Sequence, residues 1–404
     1  MAPRVRHIAK KVVLKKGNLM FRVWKRRNVA HVIIAVAAIV AMAGCSSAAS
    51  SGTSPGPSSG TNDSSASSDA GSSVSSGSSS PSSADAGSGS PSGSAAPTTN
   101  DQPINIAYLS FAVANSYDAP MLAAAQAVAA DNNAKVTVFD ANNDAKTQFS
   151  QFQNAITSGK YQGIITQPIL GTGLTSLVSQ ATAKGIKVVN IDQVMGSDYS
   201  IGDVQVPGLS ANVIMVPTVI GTKMGQQVVE ACASKNLNPC NVGYLYDIKA
   251  STLDVAINDA FTAAIKQTPS VKVVAEGQSY FTPAGGLSAT QNMMTAQPNL
   301  SLIVGSDQGI EGAVEALAAA KKTGQILLVG YGASAAAVAG VASGGWYSDV
   351  AQAPASTGRL GMKALITAIR TGQDQGAVDP AADLPNNGIV TKGNASQFTA
   401  EWPG

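Results

Sequence analysis

The sequence predicts an α/β fold of two lobes, each a parallel sheet covered by helices, behind a long N-terminal lead that takes the chain out of the cytoplasm. Three observations carry this. From residue 104 onward, short β-branched apolar runs alternate with segments of helical apolar spacing, the pattern of strand–helix–strand units in parallel sheets. There are about ten such units, too many for one small sheet, and Pro207, Gly208 and Pro217 interrupt the rhythm partway. Ahead of them lie a basic stretch, an apolar stretch and a tract of small polar residues.

The lead divides at Cys45. Residues 1–27 are basic, 29–43 are apolar, and Met42-Ala43-Gly44-Cys45 closes the stretch. A positive region, a short apolar core and small residues before a cleavage point make 1–44 a secretory signal. Cys after Ala-Gly resembles a bacterial lipobox, in which the Cys45 thiol is acylated and the residue becomes the new N-terminus; Met42 stands where Leu is usual. The competing reading is an uncleaved anchor, but the apolar stretch is shorter than the ~20 residues that a span needs. Met1 and Met20 both remain open as the start. Residues 45–103 are almost wholly Ser, Gly, Ala, Pro and Thr with a few Asp. Such a tract cannot bury enough apolar surface to offset ordering, so a disordered linker is expected, roughly 40 Å from end to end on average. The expected location is the outer face of the cytoplasmic membrane, lipid-anchored at the cell surface.

Strand runs fall at 104–109, 136–139, 163–166, 186–191, 242–246, 271–274, 302–304 and 326–329. Helical spacing falls between them at 119–131, 148–157, 174–183, 219–232, 253–265, 287–295 and 310–320, and again at 360–370. Right-handed crossovers put the strand C-termini of such a sheet on one edge, and ligands bind beyond that edge. Function is therefore sought in the strand-end loops, beginning with 110–117 and 140–144. Crossings between lobes are expected at 202–217, 351–354 and 379–388, where Pro, Gly and Asn break the pattern. They divide the chain into an N-terminal lobe of 104–211 plus 353–384 and a C-terminal lobe of 212–352 plus 385–404.

Charge and chemistry exclude several function classes. The formal net charge is +2, but ten of the 26 Lys and Arg lie before Asn28 and four of the 24 acidic residues lie in the linker. The folded part is mildly acidic, which gives no support for nucleic-acid binding. Both histidines, His7 and His31, are in the lead, so the folded part has no His-based triad and no His-ligated metal site. It has no Gly-x-Ser-x-Gly elbow either. Paired carboxylates such as Asp140 and Asp192 are the residual enzymatic reading, as in a glycosidase. Cys232 and Cys240 stand between a helix end and a strand start. In an exported chain so close a pair is expected to be a structural disulfide, contributing ~2–3 kcal/mol in the chain-entropy picture.

The strand-end loops carry a recurrent set of polar and aromatic residues. Asn115-Ser116-Tyr117 follows the first strand and Asp140-Ala141-Asn142-Asn143-Asp144 the second; Gln167-Pro168 with Gly173-Leu174 follows the third, and Ile191-Asp192 ends the fourth. Phe281, Ser306-Asp307 and Val350-Ala351-Gln352 come next in order. Behind a lipobox, this set resembles the type I periplasmic sugar-binding proteins of ABC transporters, the ribose-binding-like group, over residues 104 to about 372. The resemblance implies two Rossmann-like lobes joined by a three-crossing hinge, with the ligand held between them and delivered to a membrane permease driven by a cytoplasmic ATPase. It implies ligand contacts from Asn115, Tyr117, Asn143, Asp192, Gln193, Phe281, Asp307 and Gln352, in a monomer that is not an enzyme and needs no cofactor or metal. The chemistry agrees: a sugar's hydroxyls suit Asp and Asn, and its CH faces suit aromatic rings.

The sequence departs from the family at three polar positions. Gln193 stands where Arg is common, Val255 and Ile257 occupy a region that carries an Arg, and Gly332 stands where Asp is usual. The polar work is expected to pass to Gln193, Lys249 or Asp254, and the ligand to be a sugar or sugar-like molecule other than ribose. A sensor subunit that presents its ligand to a membrane receptor or kinase is the alternative. Plainer roles compete at single residues: Tyr117 as a core ring, Asn143 and Asp307 as helix caps, Gln352 as a hinge brace, Phe281 as packing. Asp144 is read as a cap, Asp140 as a brace for its loop, and Trp346 as packing on a strand.

Overall fold

The structure, a computed structural model, describes residues 102–404. The expected signal peptide, the lipobox at Cys45 and nearly all of the linker lie outside the described residues. Among the described residues, no helix is long and apolar enough to cross a membrane.

Two six-stranded sheets organise the chain. The first contains β1 (Ile104–Ser110), β2 (Ala134–Asp140), β3 (Gly163–Thr166), β4 (Lys187–Ile191), β5 (Leu209–Val213) and β11 (Gly376–Val378). Its order is β11-β5-β4-β3-β1-β2, parallel throughout. The second contains β6 (Cys240–Tyr246), β7 (Val271–Gln278), β8 (Leu302–Ser306), β9 (Leu327–Gly332), β10 (Ser348–Ala351) and β12 (Ile389–Thr391), in the order β12-β10-β9-β8-β6-β7. Here β12 runs antiparallel to β10, a departure from the expected all-parallel sheet. The chain reaches β12 directly from the other lobe, without the helical crossover that a parallel neighbour requires.

Burial follows the topology. β3, β5, β8 and β10 are buried at every residue, whereas edge strand β2 alternates between half-buried and exposed. Interior strands of a parallel sheet are sealed on both faces, which is why they read as continuous runs. Helices α1 (Asp118–Asp131), α2 (Ala145–Thr157), α3 (Thr175–Ala183) and α9 (Pro354–Thr371) cover the first sheet. Helices α4 (Pro217–Ser234), α5 (Thr252–Ile265), α6 (Pro283–Ala296), α7 (Asp307–Ala319) and α8 (Ala335–Ser343) cover the second. Side-chain caps start many of them: Asp144 accepts from Thr147 N at 2.5 Å and Ser334 from Ala337 N at 3.0 Å, each satisfying an otherwise orphaned amide. Cys232 and Cys240 are joined, with Cα atoms 5.9 Å apart, and tie the end of α4 to the start of β6.

The chain passes between sheets three times, at 214–216, 352–353 and 379–388. The lobe boundary expected between 211 and 212 falls inside β5, whose Asn212 and Val213 pair with Asn190 and Ile191 of β4. The first crossing lies within the expected 202–217, but the lobe boundary falls two residues later than expected.

Glycines set the closest helix contacts. A Cβ on Gly221 of α4 would stand 2.0 Å from the Ile257 carbonyl oxygen of α5. That neighbour is backbone, so only parting of the helices relieves the clash. Gly221→Ala is expected to destabilise the protein by about 1–3 kcal/mol, the usual cost of overpacking. Denaturant unfolding measures this, and an unchanged midpoint would show that the helices part freely.

Candidate functional site

The C-terminal edges of the two sheets face one another across a cavity of about 80 Å³. The first lobe supplies Phe111, Asn115, Tyr117 and Asp118 from the β1–α1 turn, Gln167 after β3, and Asp192 and Gln193 after β4. The second supplies Leu253 and Ile257 of α5, Phe281 after β7, Ser306 and Gln308 at the β8–α7 junction, and Tyr331 of β9. Met215 and Gln352 enter from two crossings, Thr357 from α9, and Trp402 from the C-terminal tail.

Local structure aims these side chains. Asn115 Oδ1 accepts from Tyr117 N at 2.8 Å and closes the turn before α1. Asp192 has φ +64° and Phe281 φ +55°. Asp tolerates this left-handed region, but an aromatic residue there is strained by about 1–3 kcal/mol. The Phe281 turn is held by hydrogen bonds from Tyr280 N to Asp247 O (3.0 Å) and from Phe281 N to Ser279 Oγ (3.3 Å). The lobes touch beside the cavity: Gln308 Nε2 donates to Ser116 Oγ at 3.0 Å, and the Tyr199 and Thr252 hydroxyls lie 2.5 Å apart. This is a closed arrangement.

Of the expected contacts, Asn115, Tyr117, Asp192, Gln193, Phe281 and Gln352 line the cavity. Asn143 and Asp307 do not. Asn143 is exposed and its N–H donates to Phe111 O at 3.0 Å, so it buttresses the β1–α1 turn from outside. Asp307 is wholly buried, and its Oδ2 accepts from Ser334 N at 2.6 Å. It turns inward because Gly332 leaves it room: a Cβ there would lie 2.7 Å from Asp307 Oδ2 and 2.7 Å from Trp402 Cζ2. Lys249 is exposed and pairs with Glu276 on the surface. Asp254 is buried behind the site, accepting from Asp247 N at 2.8 Å and Ile248 N at 3.1 Å. Of the three expected substitutes, only Gln193 reaches the cavity. Asp140 accepts from Val113 N and Asn142 N and braces its loop, so it forms no catalytic pair with Asp192. Trp346 is buried in the outer core of the second lobe.

The cavity walls carry two carboxylates and no Lys or Arg. Gln167 Nε2 bridges the pair, donating to Asp118 at 2.7 Å and Asp192 at 3.0 Å. Asp192 also receives the Tyr117 hydroxyl at 3.2 Å and Gln193 Nε2 at 3.0 Å. Burial, and then repulsion from Asp192, pushes Asp118 up to about 8, with the Gln167 bond opposing. Burial also raises Asp192, against the bonds from Gln167, Gln193 and Tyr117. In the second lobe, fully buried Asp247 receives the hydroxyls of Ser279 (2.5 Å), Ser306 (2.6 Å) and Tyr331 (2.6 Å). The lining offers hydrogen-bonding groups and aromatic rings, and no nucleophile stands beside a base among its residues.

Residues 106–374 match the model of the periplasmic binding protein domain. The chain is similar to the D-allose-binding periplasmic protein of Escherichia coli (strain K12), 26% identical over 234 residues, which cover 57% of this chain and 72% of that protein. It is also similar to the ribose import binding protein RbsB of Bacillus subtilis (strain 168), 25% identical over 231 residues, covering 57% and 70%. Both relatives are named as binding proteins, in accord with the expectation that the chain is not an enzyme. An ABC transporter solute binding protein from Bacillus halodurans C-125, solved with bound myo-inositol, superposes with a TM-score of 0.65 at 20% identity, over 76% of this chain and 100% of that one. That likeness shows the two-lobed type I fold. With the family model spanning well over half of its length, the chain belongs to the periplasmic binding protein domain family.

Proposed function

We propose that this chain is the extracytoplasmic solute-binding lipoprotein of an ABC importer, and that it closes its lobes around a sugar or sugar-like small polar ligand. One observation carries the reading: a hydrogen-bonded acceptor centre, Asp192 with Gln167 and Gln193, shares one closed cavity with the rings of Tyr117, Phe281 and Trp402. Acceptors and aromatic rings in one cavity suit a molecule with hydroxyls on its rim and CH groups on its faces. The names of the allose and ribose relatives support the same class of ligand. Asn115, Tyr117, Asp192, Gln193, Phe281 and Gln352 make the contacts, and the three crossings act as the hinge. The ligand shifts an open–closed equilibrium by preferring the closed state, and the closed monomer docks on the permease. Acylated Cys45 holds the protein at the cell surface, and 45–103 lets it range over the membrane.

Isothermal titration of the purified protein against monosaccharides and polyols tests this reading. One member of the panel is expected to bind saturably with one site, and Asp192→Ala to weaken it by about 10–100-fold, the loss of a buried charged hydrogen-bond partner. A folded protein that binds no member of the panel counts against sugar capture.

A further inference from the structure

We infer that the ligand of this cleft carries a protonated amine, seated between the carboxylates of Asp118 and Asp192, as an amino sugar or an amino polyol does. The inference rests on the reading of the cleft as a site for a sugar-like molecule and adds the charge of that molecule.

The first ground is a pair of carboxylates with no cation to answer them. Asp118 is buried, Asp192 is half-buried, and the lining holds no Lys or Arg to answer them. A single amide, Gln167 Nε2, serves both carboxylates. Two carboxylates facing one closed cavity cannot both ionise cheaply, and a cation between them removes that cost.

The second ground, independent of the first, is where the donors point. The hydroxyl hydrogens of Ser306 and Tyr331 go inward to Asp247, and that of Tyr117 goes to Asp192. Trp402 Nε1 donates to Gly332 O at 2.8 Å, and Thr357 Oγ1 to Ala353 O at 2.8 Å. Gln308 Nε2 is engaged by Asn115 and Ser116. With their hydrogens engaged in this way, the hydroxyls of Ser306, Tyr331, Tyr117 and Thr357 have only lone pairs left to offer, while the Trp402 and Gln308 N–H groups are spent on protein acceptors. Both lobes are therefore acceptor-rich, and the group that fits is one that only donates, an ammonium with three N–H bonds. The side-chain amides of Asn115 and Gln352 remain for the hydroxyls. The third ground is the enclosure: the rings of Tyr117, Phe281 and Trp402 line the cavity, and an organic cation is attracted to aromatic rings.

The proton balance follows. Burial and Asp192 hold Asp118 at about 8, so in the empty cleft it is mostly protonated at pH 7. The groups that face it are Tyr108 of β1, Tyr117, Asp140 and Asp192, and none of them is a cation. Glu401 of the tail bears on Tyr117, and Arg359 lies 4.0 Å from Glu401 at the outer end of α9. Entry of an ammonium drives the Asp118 proton out to solvent. Affinity should rise with pH from 6 to 8, then fall as the ligand's own amine loses its proton.

The test is titration of the full exported chain at pH 7 with D-glucosamine, D-galactosamine and D-mannosamine beside D-glucose, D-galactose and D-mannose, in two buffers of different ionisation enthalpy. At least one amine is expected to bind ~10-fold or more tightly than its neutral parent, releasing about one proton. Asp118→Asn, near-isosteric, should lose that preference; Asp192→Asn serves as the second variant where melting shows the first to be misfolded. A neutral parent that binds as well as its amine overturns the inference and leaves the sugar reading standing, as does a preference that survives in both folded variants. Binding by neither set overturns the sugar reading together with the inference.

Discussion

Trp402→Ala is expected to cost about 3–5 kcal/mol of stability, the range for deleting a buried Trp, and to weaken ligand capture at least about tenfold. The ring is only 5% exposed although it lies two residues from the end of the chain. It meets Tyr117 edge-on, with centroids 5.3 Å apart, and its Nε1 donates to Gly332 O at 2.8 Å. It occupies the space that a side chain at Gly332 would need. The tail around it joins both lobes. Glu401 accepts from Ser356 N at 2.8 Å and from the Ser356 hydroxyl on α9 of the first lobe, while Trp402 O accepts from Ala335 N at 2.9 Å on α8 of the second. Removing the ring opens a cavity at the junction, leaves the Gly332 carbonyl with only the Gln352 N–H at 3.3 Å, and frees Tyr117 to tilt. Trp402→Phe keeps part of the surface and loses the N–H, so it should fall between wild type and Ala. Denaturant unfolding and titration measure both effects; a loss below about 1 kcal/mol with unchanged binding would make the tail a bystander.

The sequence discloses an element readily where burial and hydropathy agree. β1, β3 and β8 are continuous apolar runs because both faces of an interior strand are dry. β5 escapes that reading because Asn212 sits inside it, fully paired: its Oδ1 accepts from Asn190 Nδ2 and its Nδ2 donates to Gly202 O, at 2.7 and 2.8 Å. β10 hides in the same way, since buried Asp349 accepts from Ala333 N at 2.8 Å. α8 hides because a run of Ala and Val shows no polar face, although Ser334 at its start and Gly344 (φ +86°) at its end are ordinary signals. The strand-end loops converge: the turn after β1 and the ends of β3, β4 and β7 line one cavity. Asp307 could not be placed from sequence because its inward turn depends on the absent Cβ atoms of Gly330 and Gly332. Trp402 gave no signal, because it is 70 residues from the carbonyl that it seals.

Stability should fall as pH rises from about 4 toward 8, opposite to the trend in proteins held by salt-bridged carboxylates. The sign follows from which state binds the proton more tightly. Burial raises Asp118, Asp192, Asp247, Asp307 and Asp349 above the ordinary 3.8, so between that value and the folded one the native state holds protons that the unfolded chain has released. Such groups contribute fully below the unfolded value and lose their contribution as pH climbs through the folded one. For Asp118, at about 8, the loss between pH 4 and 7 is roughly 4 kcal/mol. Half-buried Glu311, raised to about 7 by burial and by Asp307, adds less because solvent screens it. Asp144, Asp198 and Asp374 are lowered, but they are exposed and titrate mainly below this window. Melting temperature should therefore be higher at pH 5 than at pH 8, and Asp118→Asn should flatten the slope; a melting temperature that rises over this range would mean that the buried carboxylates are ionised. Asp118 faces the cleft, so a cationic ligand that expels its proton should raise the melting temperature more at pH 8 than at pH 5. A neutral ligand that leaves the proton in place would show no such bias toward high pH.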